Sequence, residues 1–159
     1  MNWRDRLAKL VAGDQGVVTY DAIPALQQAR AAFVVRARML RRHAEQAPNQ
    51  LQHDELSRLA GQDETRVHEV TEVLTTLGGQ PAEPPPLPAV TGALNHWARL
   101  VEALESHRAA VKSLREQSIH FAEALPDTAA LFDRLCREEE RHGIHLRDLI
   151  ARTDPQALD

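Results

Sequence analysis

Between Gly78 and Val90 the chain reads GGQPAEPPPLPAV, thirteen residues that no regular helix can absorb, while nearly everything on either side is helix-forming. Ala, Leu, Glu, Arg and Gln dominate the flanks, and glycine and proline otherwise fall for the most part at the joints of periodic stretches. The pattern predicts five helices and no strand. A short amphipathic helix covers 2–11 and stops before Gly13. A second covers 21–47, with Asp21 as N-cap and Pro24 tolerated in its first turn. The third covers 50–77 and stops at Gly78-Gly79, where glycine can take the left-handed conformation that closes a helix. The last two cover 91–125 and 127–152, divided by Pro126.

Loop lengths then set the topology. The turns at Pro48 and Pro126 are only a few residues long, so each joins antiparallel neighbours. In extended form, residues 78–90 reach about 40 Å at about 3.1 Å per residue. The 50–77 helix is also about 40 Å long at about 1.5 Å per residue, so the proline segment can return the chain along the whole bundle. The expected fold is therefore all-α, an antiparallel four-helix bundle with one long crossover and a short extra N-terminal helix, with 1–159 as one domain. A flexible linker between two separate hairpins is the alternative, and neither hairpin alone would bury much of a core.

Several functions are disfavoured by composition. The formal charge is −4 and no Lys/Arg run with interleaved aromatics is present, which speaks against nucleic acid as a partner. No run approaches the roughly 18–20 apolar residues of a membrane span, and the start, MNWRDRLAKL, has charges where a signal peptide would be apolar. The expected location is cytoplasmic. One cysteine, Cys136, excludes an internal disulfide framework and any multi-cysteine metal site, and reads as a buried small hydrophobe. Any metal would need His and carboxylate ligands, and eight histidines are available.

Stepping three and four residues along each long helix gives the stripe expected to face the bundle centre. The first long helix offers Leu26, Phe33, Ala37, Leu40 and Ala44. The next offers Leu56, Leu59, Asp63, Arg66, Val70, Val73 and Leu77. The third offers Trp97, Leu100, Leu104, His107, Val111, Leu114, Ser118 and Phe121, and the fourth Phe132, Leu135, Glu139, His142, Leu146 and Leu149. Ionisable groups on an inward stripe are costly unless paired or metal-bound, so Asp63, Arg66, His107, Glu139 and His142 call for one common explanation. His43, His53, His68, His96, His120 and His145 lie off the stripes and read as surface residues, and in the run Glu138-Glu139-Glu140 only the middle member is expected to point inward. The hairpins also repeat each other: with Phe33 set on His107, Leu40 falls on Leu114, Asp63 and Arg66 on Glu139 and His142, and Val70 and Val73 on Leu146 and Leu149.

The phrases CREEERHGIHLRDLI and GQDETRVHEVTEVLTTLGGQP resemble the metal-bearing helices of the ferritin-like, rubrerythrin-related superfamily. In that superfamily one Glu from each of two helices, and a Glu-x-x-His from each of the other two, hold a di-iron centre, because residues three apart share a helix face. Here Glu139-x-x-His142 is intact, but its counterpart reads Asp63-x-x-Arg66, and a guanidinium cannot ligate a cation. Where the family places a Glu and, seven residues on, a Tyr in the first long helix, this chain has Phe33 and Leu40, and the third-helix Glu position falls on His107. The resemblance thus implies the fold and a degenerate di-iron site, with a homodimer as is common among related bundles.

Two readings of the centre follow. In the preferred one no cofactor binds, Arg66 pairs with Asp63 and Glu139, and the histidines close a polar layer in a non-catalytic structural or binding protein. In the other, a half-site of His107, Glu139 and His142, with Asp63 as fourth ligand or base, holds one divalent metal, Fe(II), Mn(II) or Zn(II), in a metal-binding protein or oxidoreductase. The apolar stripe of Trp3, Leu7 and Leu10 would cap the bundle or meet a second subunit.

Overall fold

A computed structural model of the chain describes residues 3–87 and 95–157, with side chains from residue 21 onward. Four helices make up the fold: α1 (Trp3–Glu45), α2 (Gln50–Thr76), α3 (His96–His120) and α4 (Pro126–Ala151). The described residues contain no strand. The separate N-terminal helix expected over 2–11 is absent, since α1 runs unbroken from Trp3 through Gly13, Gly16 and Pro24. A glycine inside a helix costs only about 1 kcal/mol, so Gly13, with no proline beside it, is no obligatory stop. The Trp3–Leu7–Leu10 stripe lies outside the described side chains, and the expected helix start at Thr91 lies outside the described residues.

Local chemistry fixes the ends. Asn49 caps α2, its side chain accepting from Gln52 N at 3.0 Å, and Asn95 caps α3 through Ala98 N at 2.9 Å. Pro126 occupies the first turn of α4, where its missing N–H costs nothing. At the end of α2, Gly78 takes φ +87°, and the N–H of Gly79 returns to Leu74 O at 2.9 Å, satisfying a carbonyl the helix leaves open.

α1 packs along α2, and α3 along α4; α1 also touches α3, and α2 touches α4. Gln52 and His96, near the starts of α2 and α3, meet at one end of the bundle, while Leu74 and Phe121, at the ends of the same helices, share a cluster at the other. α2 and α3 are therefore parallel, and the connection between them must climb the full length of the bundle. Its described part runs along α1: Gln27 donates to Gln80 O, Arg30 donates to Ala82 O at 2.9 Å, and Ala82 N donates to Gln27 Oε1 at 3.2 Å.

The core is split in two. One cluster holds Leu26, Phe33, Val70, Leu74, Leu114, Phe121, Phe132 and Leu135, and the other Leu40, Leu56, Leu59, Leu100, Leu104, Leu146 and Leu149. Between them, at mid-height, lies a buried layer of charged and polar side chains. Two expected stripe positions shift by one residue: Leu74 is buried while Val73 is partly exposed, and Trp97 is partly exposed while His96 and Arg99 are buried.

Candidate functional site

The layer is built from one or two side chains of each helix: Arg36 from α1, Asp63 and Arg66 from α2, His107 from α3, and Glu139 and His142 from α4, all buried. Helix periodicity explains the grouping, because residues three apart share a face, so 63 with 66 and 139 with 142 enter the core together. The structure thus brings together all five of the polar stripe residues expected from sequence, and adds Arg36.

Two guanidiniums sit among two carboxylates. Arg66 Nη1 lies 2.8 Å from Asp63 Oδ1 and 2.5 Å from Glu139 Oε1. Arg36 Nη2 lies 2.7 Å from Glu139 Oε2, with longer contacts of 3.4 and 3.5 Å from Nη2 and Nε to the oxygens of Asp63. Phe33 lies beneath both cations, with its ring centroid 5.0 Å from Arg36 Cζ and 5.9 Å from Arg66 Cζ, so the residue at the expected glutamate position offers an aromatic face to the cations. A chain of ion pairs then runs outward. Arg66 Nε reaches Glu138 at 3.1 Å, and Arg134 joins Glu138 to Glu69 at 3.1 and 2.9 Å. Glu138, expected on the solvated face, is half-buried and belongs to the network because Arg66 is long enough to reach it.

His142 fits a neutral role. His142 faces Arg66 with both ring nitrogens, Nδ1 3.2 Å from Nη1 and Nε2 3.1 Å from Nη2, and its Nε2 also contacts Gln62 Oε1; a guanidinium only donates, so the ring nitrogen that lacks a hydrogen accepts from Arg66. Burial and the nearby Arg66 push the His142 pKa down to about 3. His107 Nδ1 lies 2.7 Å from Glu139 Oε2, and its Nε2 has no hydrogen-bond partner among the described residues. Burial resists ionisation of Glu139, but Arg36, His107 and Arg66 outweigh it and hold its pKa down to about 2. Asp63 moves the other way: burial, aided by the neighbouring charge of Glu139, raises its pKa against the pull of Arg36 and Arg66. One ligand atom from each of Asp63, His107 and His142 lies within 4.8 Å of the others, close enough to share one metal ion.

Arg36 is the residue that sequence inspection missed. It lies three residues after Phe33, as much on the inward stripe as Ala37 four after, but an arginine beside an alanine at that step reads as a surface neighbour. Two histidines assigned to the surface are also buried. His96 contacts Gln52 at one end of the bundle, and His43 nearby is held to a pKa of about 4 by burial and by Arg99, His96 and Arg42.

No family model matches the sequence, and no curated protein matches it. Solved structures do match. A Dps from Thermosynechococcus elongatus superposes with a TM-score of 0.77 at 18% identity, covering 91% of this chain and 99% of that one. A Desulfovibrio desulfuricans bacterioferritin, described with a diiron site, gives 0.78 at 18% identity over 86% and 82%. A ferritin-like, diiron-carboxylate protein from Bacillus anthracis gives 0.74 at 16% identity over 83% and 96%. The fold is the ferritin-like four-helix bundle. No helix among the described residues is long and apolar enough to cross a membrane.

Proposed function

We propose that this chain is a ferritin-like bundle in which a guanidinium–carboxylate layer stands in place of a di-iron centre, and that it serves as a non-catalytic structural or binding protein that self-associates, most simply as a homodimer. The observation that carries the reading is Arg66 Nη1, within 2.8 Å of both Asp63 and Glu139. A pair of irons does not fit these donors. The layer offers two carboxylates where a di-iron carboxylate site uses about four, and both are engaged by arginines. Two fixed positive charges balance Asp63 and Glu139, so the layer closes without a metal. Its benefit is register: shifting α1, α2 or α4 by one turn would leave a charge without a partner in the dry core.

Metal analysis of untagged protein, incubated with Fe(II), Mn(II) or Zn(II) and desalted, tests this. The expected result is far less than one metal per chain and a melting temperature indifferent to chelator. About one equivalent, lost in His142→Ala, would overturn it. That outcome would support a second reading, favoured by the close approach of Asp63, His107 and His142, one ligand atom of each within 4.8 Å of the others, with a Glu139 oxygen 2.7 Å from His107 Nδ1. In that reading Asp63, His107 and His142 hold one divalent ion, with Glu139 orienting His107 or completing the set. Arg66 must first withdraw from the His142 ring, both of whose nitrogens it contacts.

A further inference from the structure

α2 and α4 run antiparallel along one flank of the bundle, where Gln62 meets His142 and Glu69 meets Arg134. Arg58, one turn before Gln62, therefore falls opposite His145, three residues after His142. A cavity of about 380 Å³ opens between the two helices, within the roughly 300–1,000 Å³ usual for small-molecule sites. None of its described lining residues is apolar. Arg58, Arg141, His145 and Gln62 form its outer walls, all of them exposed to solvent, and the buried Arg66 and His142 form its floor. Exposed arginines are ordinarily just solvated. These differ in surrounding a concave site with a further guanidinium beneath it, where water is partly excluded and attraction to an anion is stronger than on open surface.

Two carboxylates also line the cavity, and both are committed elsewhere: Glu138 to Arg66 and Arg134 at 3.1 Å each, and Glu69 to Arg134 at 2.9 Å. Arg141 has no ion pair or hydrogen bond among the described residues, although Glu138 is one turn away. Arg58 is held only by Glu55, three residues back at 3.0 Å and as exposed as itself, a pairing worth about 0–1 kcal/mol. Gln62 turns its Oε1 to His142, which leaves its amide nitrogen to donate. At this end of the groove the free groups are thus donors, which suits an anion and offers nothing to a cation, while the polar walls give an apolar molecule no surface to cover. Donors approach from α2, from α4 and from the floor, matching an oxyanion that accepts in three dimensions; a planar carboxylate would engage one guanidinium at a time. We propose that the groove between α2 and α4 is a phosphate site, taking inorganic phosphate or the phosphate group of a small ester, held by Arg58, Arg141 and His145 with Gln62 donating from the wall. These four residues carry none of the charge pairs of the central layer, so phosphate binding and metal binding are separate outcomes.

The test is calorimetric titration of the full chain at low ionic strength with inorganic phosphate, glycerol 3-phosphate and acetate in turn. The expected result is one saturable equivalent of phosphate or of its ester per chain, with acetate about tenfold weaker or more. Whichever of the two phosphates binds more tightly identifies the source, a free ion or an ester. Arg141→Gln and Arg58→Gln, both at exposed positions, are each expected to weaken phosphate about tenfold while leaving the melting temperature of the ligand-free protein unchanged. Arg108→Gln, which removes the same charge from an exposed position on α3 outside the groove, is expected to change the affinity less than about twofold. Absence of saturable phosphate binding, or binding that survives both groove variants, would overturn the proposal. Equal weakening by Arg108→Gln would show a diffuse field in place of a site and would also overturn it. Acetate binding as tightly as phosphate would overturn the ligand class.

Discussion

Replacing Arg66 by methionine is the sharpest perturbation of the central layer. Methionine keeps an unbranched apolar stem but removes the contacts to Asp63 at 2.8 Å, Glu139 at 2.5 Å and Glu138 at 3.1 Å. Asp63 and Glu139, both buried, are then left to share Arg36, whose contacts to Asp63 are already long at 3.4 and 3.5 Å. Breaking a buried pair by removing one partner costs about 3–5 kcal/mol, since it strands a charge in a medium that cannot solvate it. For a chain of this size about 1 kcal/mol moves the melting temperature by about 2–4 °C, so Arg66→Met is expected to lower it by about 6–20 °C at pH 7. The loss should shrink toward pH 5, where the stranded carboxylates can take up protons. Asp63→Asn in the Arg66→Met background should recover a large part, because the double variant again has one cation facing one anion. Differential scanning calorimetry of the four proteins of this cycle measures the coupling, expected at about 2 kcal/mol or more. A melting temperature unchanged in Arg66→Met, or a double variant no better than the single, would refute the claim that the layer is held by charge pairing.

Three further outcomes are expected. Acidification should destabilise the protein from about pH 6.5 downward: His142 and His43 have folded pKa values of about 3 and about 4, below the ordinary 6.5, so the unfolded chain binds protons the folded one refuses. Urea melts at pH 7 and pH 5 should show the drop, flattened in His142→Gln and His43→Gln; equal stability at both pH values would contradict it. Below about pH 4.5 a second loss, of about 3 kcal/mol at about 1.4 kcal/mol per pKa unit, follows as Glu139 is forced toward its folded pKa of about 2, offset in part by Asp63, whose raised pKa favours the protonated folded state. Among the glycines, Gly79→Ala should cost about 1–3 kcal/mol, because a Cβ there would meet the buried Leu74 Cδ1, whereas Gly61→Ala, inside α2 with open space around it, should gain about 0.5–1 kcal/mol. Chemical denaturation of the two variants separates them, and equal signs would show that the α2 C-terminus is not as tightly closed as its geometry implies.

What could be read from the chain alone was whatever depends on periodicity, and what could not was whatever depends on reach. Asp63, Glu139 and His142 announce themselves because their own helix stripes are otherwise apolar, and the crossover because five prolines fall between residues 81 and 88. Neither signal needs a partner to be recognised. Gly13 misleads for a different reason: one residue of low propensity looks like a helix stop, and a cost of about 1 kcal/mol does not end a helix of 43 residues. Arg36, Glu138 and His96 were missed because their burial is decided across helices. Arginine's long stem lets a residue at the edge of a stripe deliver its guanidinium to the centre, and it does so only if carboxylates from other helices await it. Arg36 finds Glu139, 103 positions away in sequence, at 2.7 Å, and no periodicity in α1 encodes that distance. The same long-range pairing makes the layer testable. If one buried cation on α1 and one on α2 together balance Asp63 and Glu139, then Arg36→Met and Arg66→Met should each be severe, yet replacing all four charged residues by apolar ones of similar volume should restore much of the stability while loosening the register of the helices.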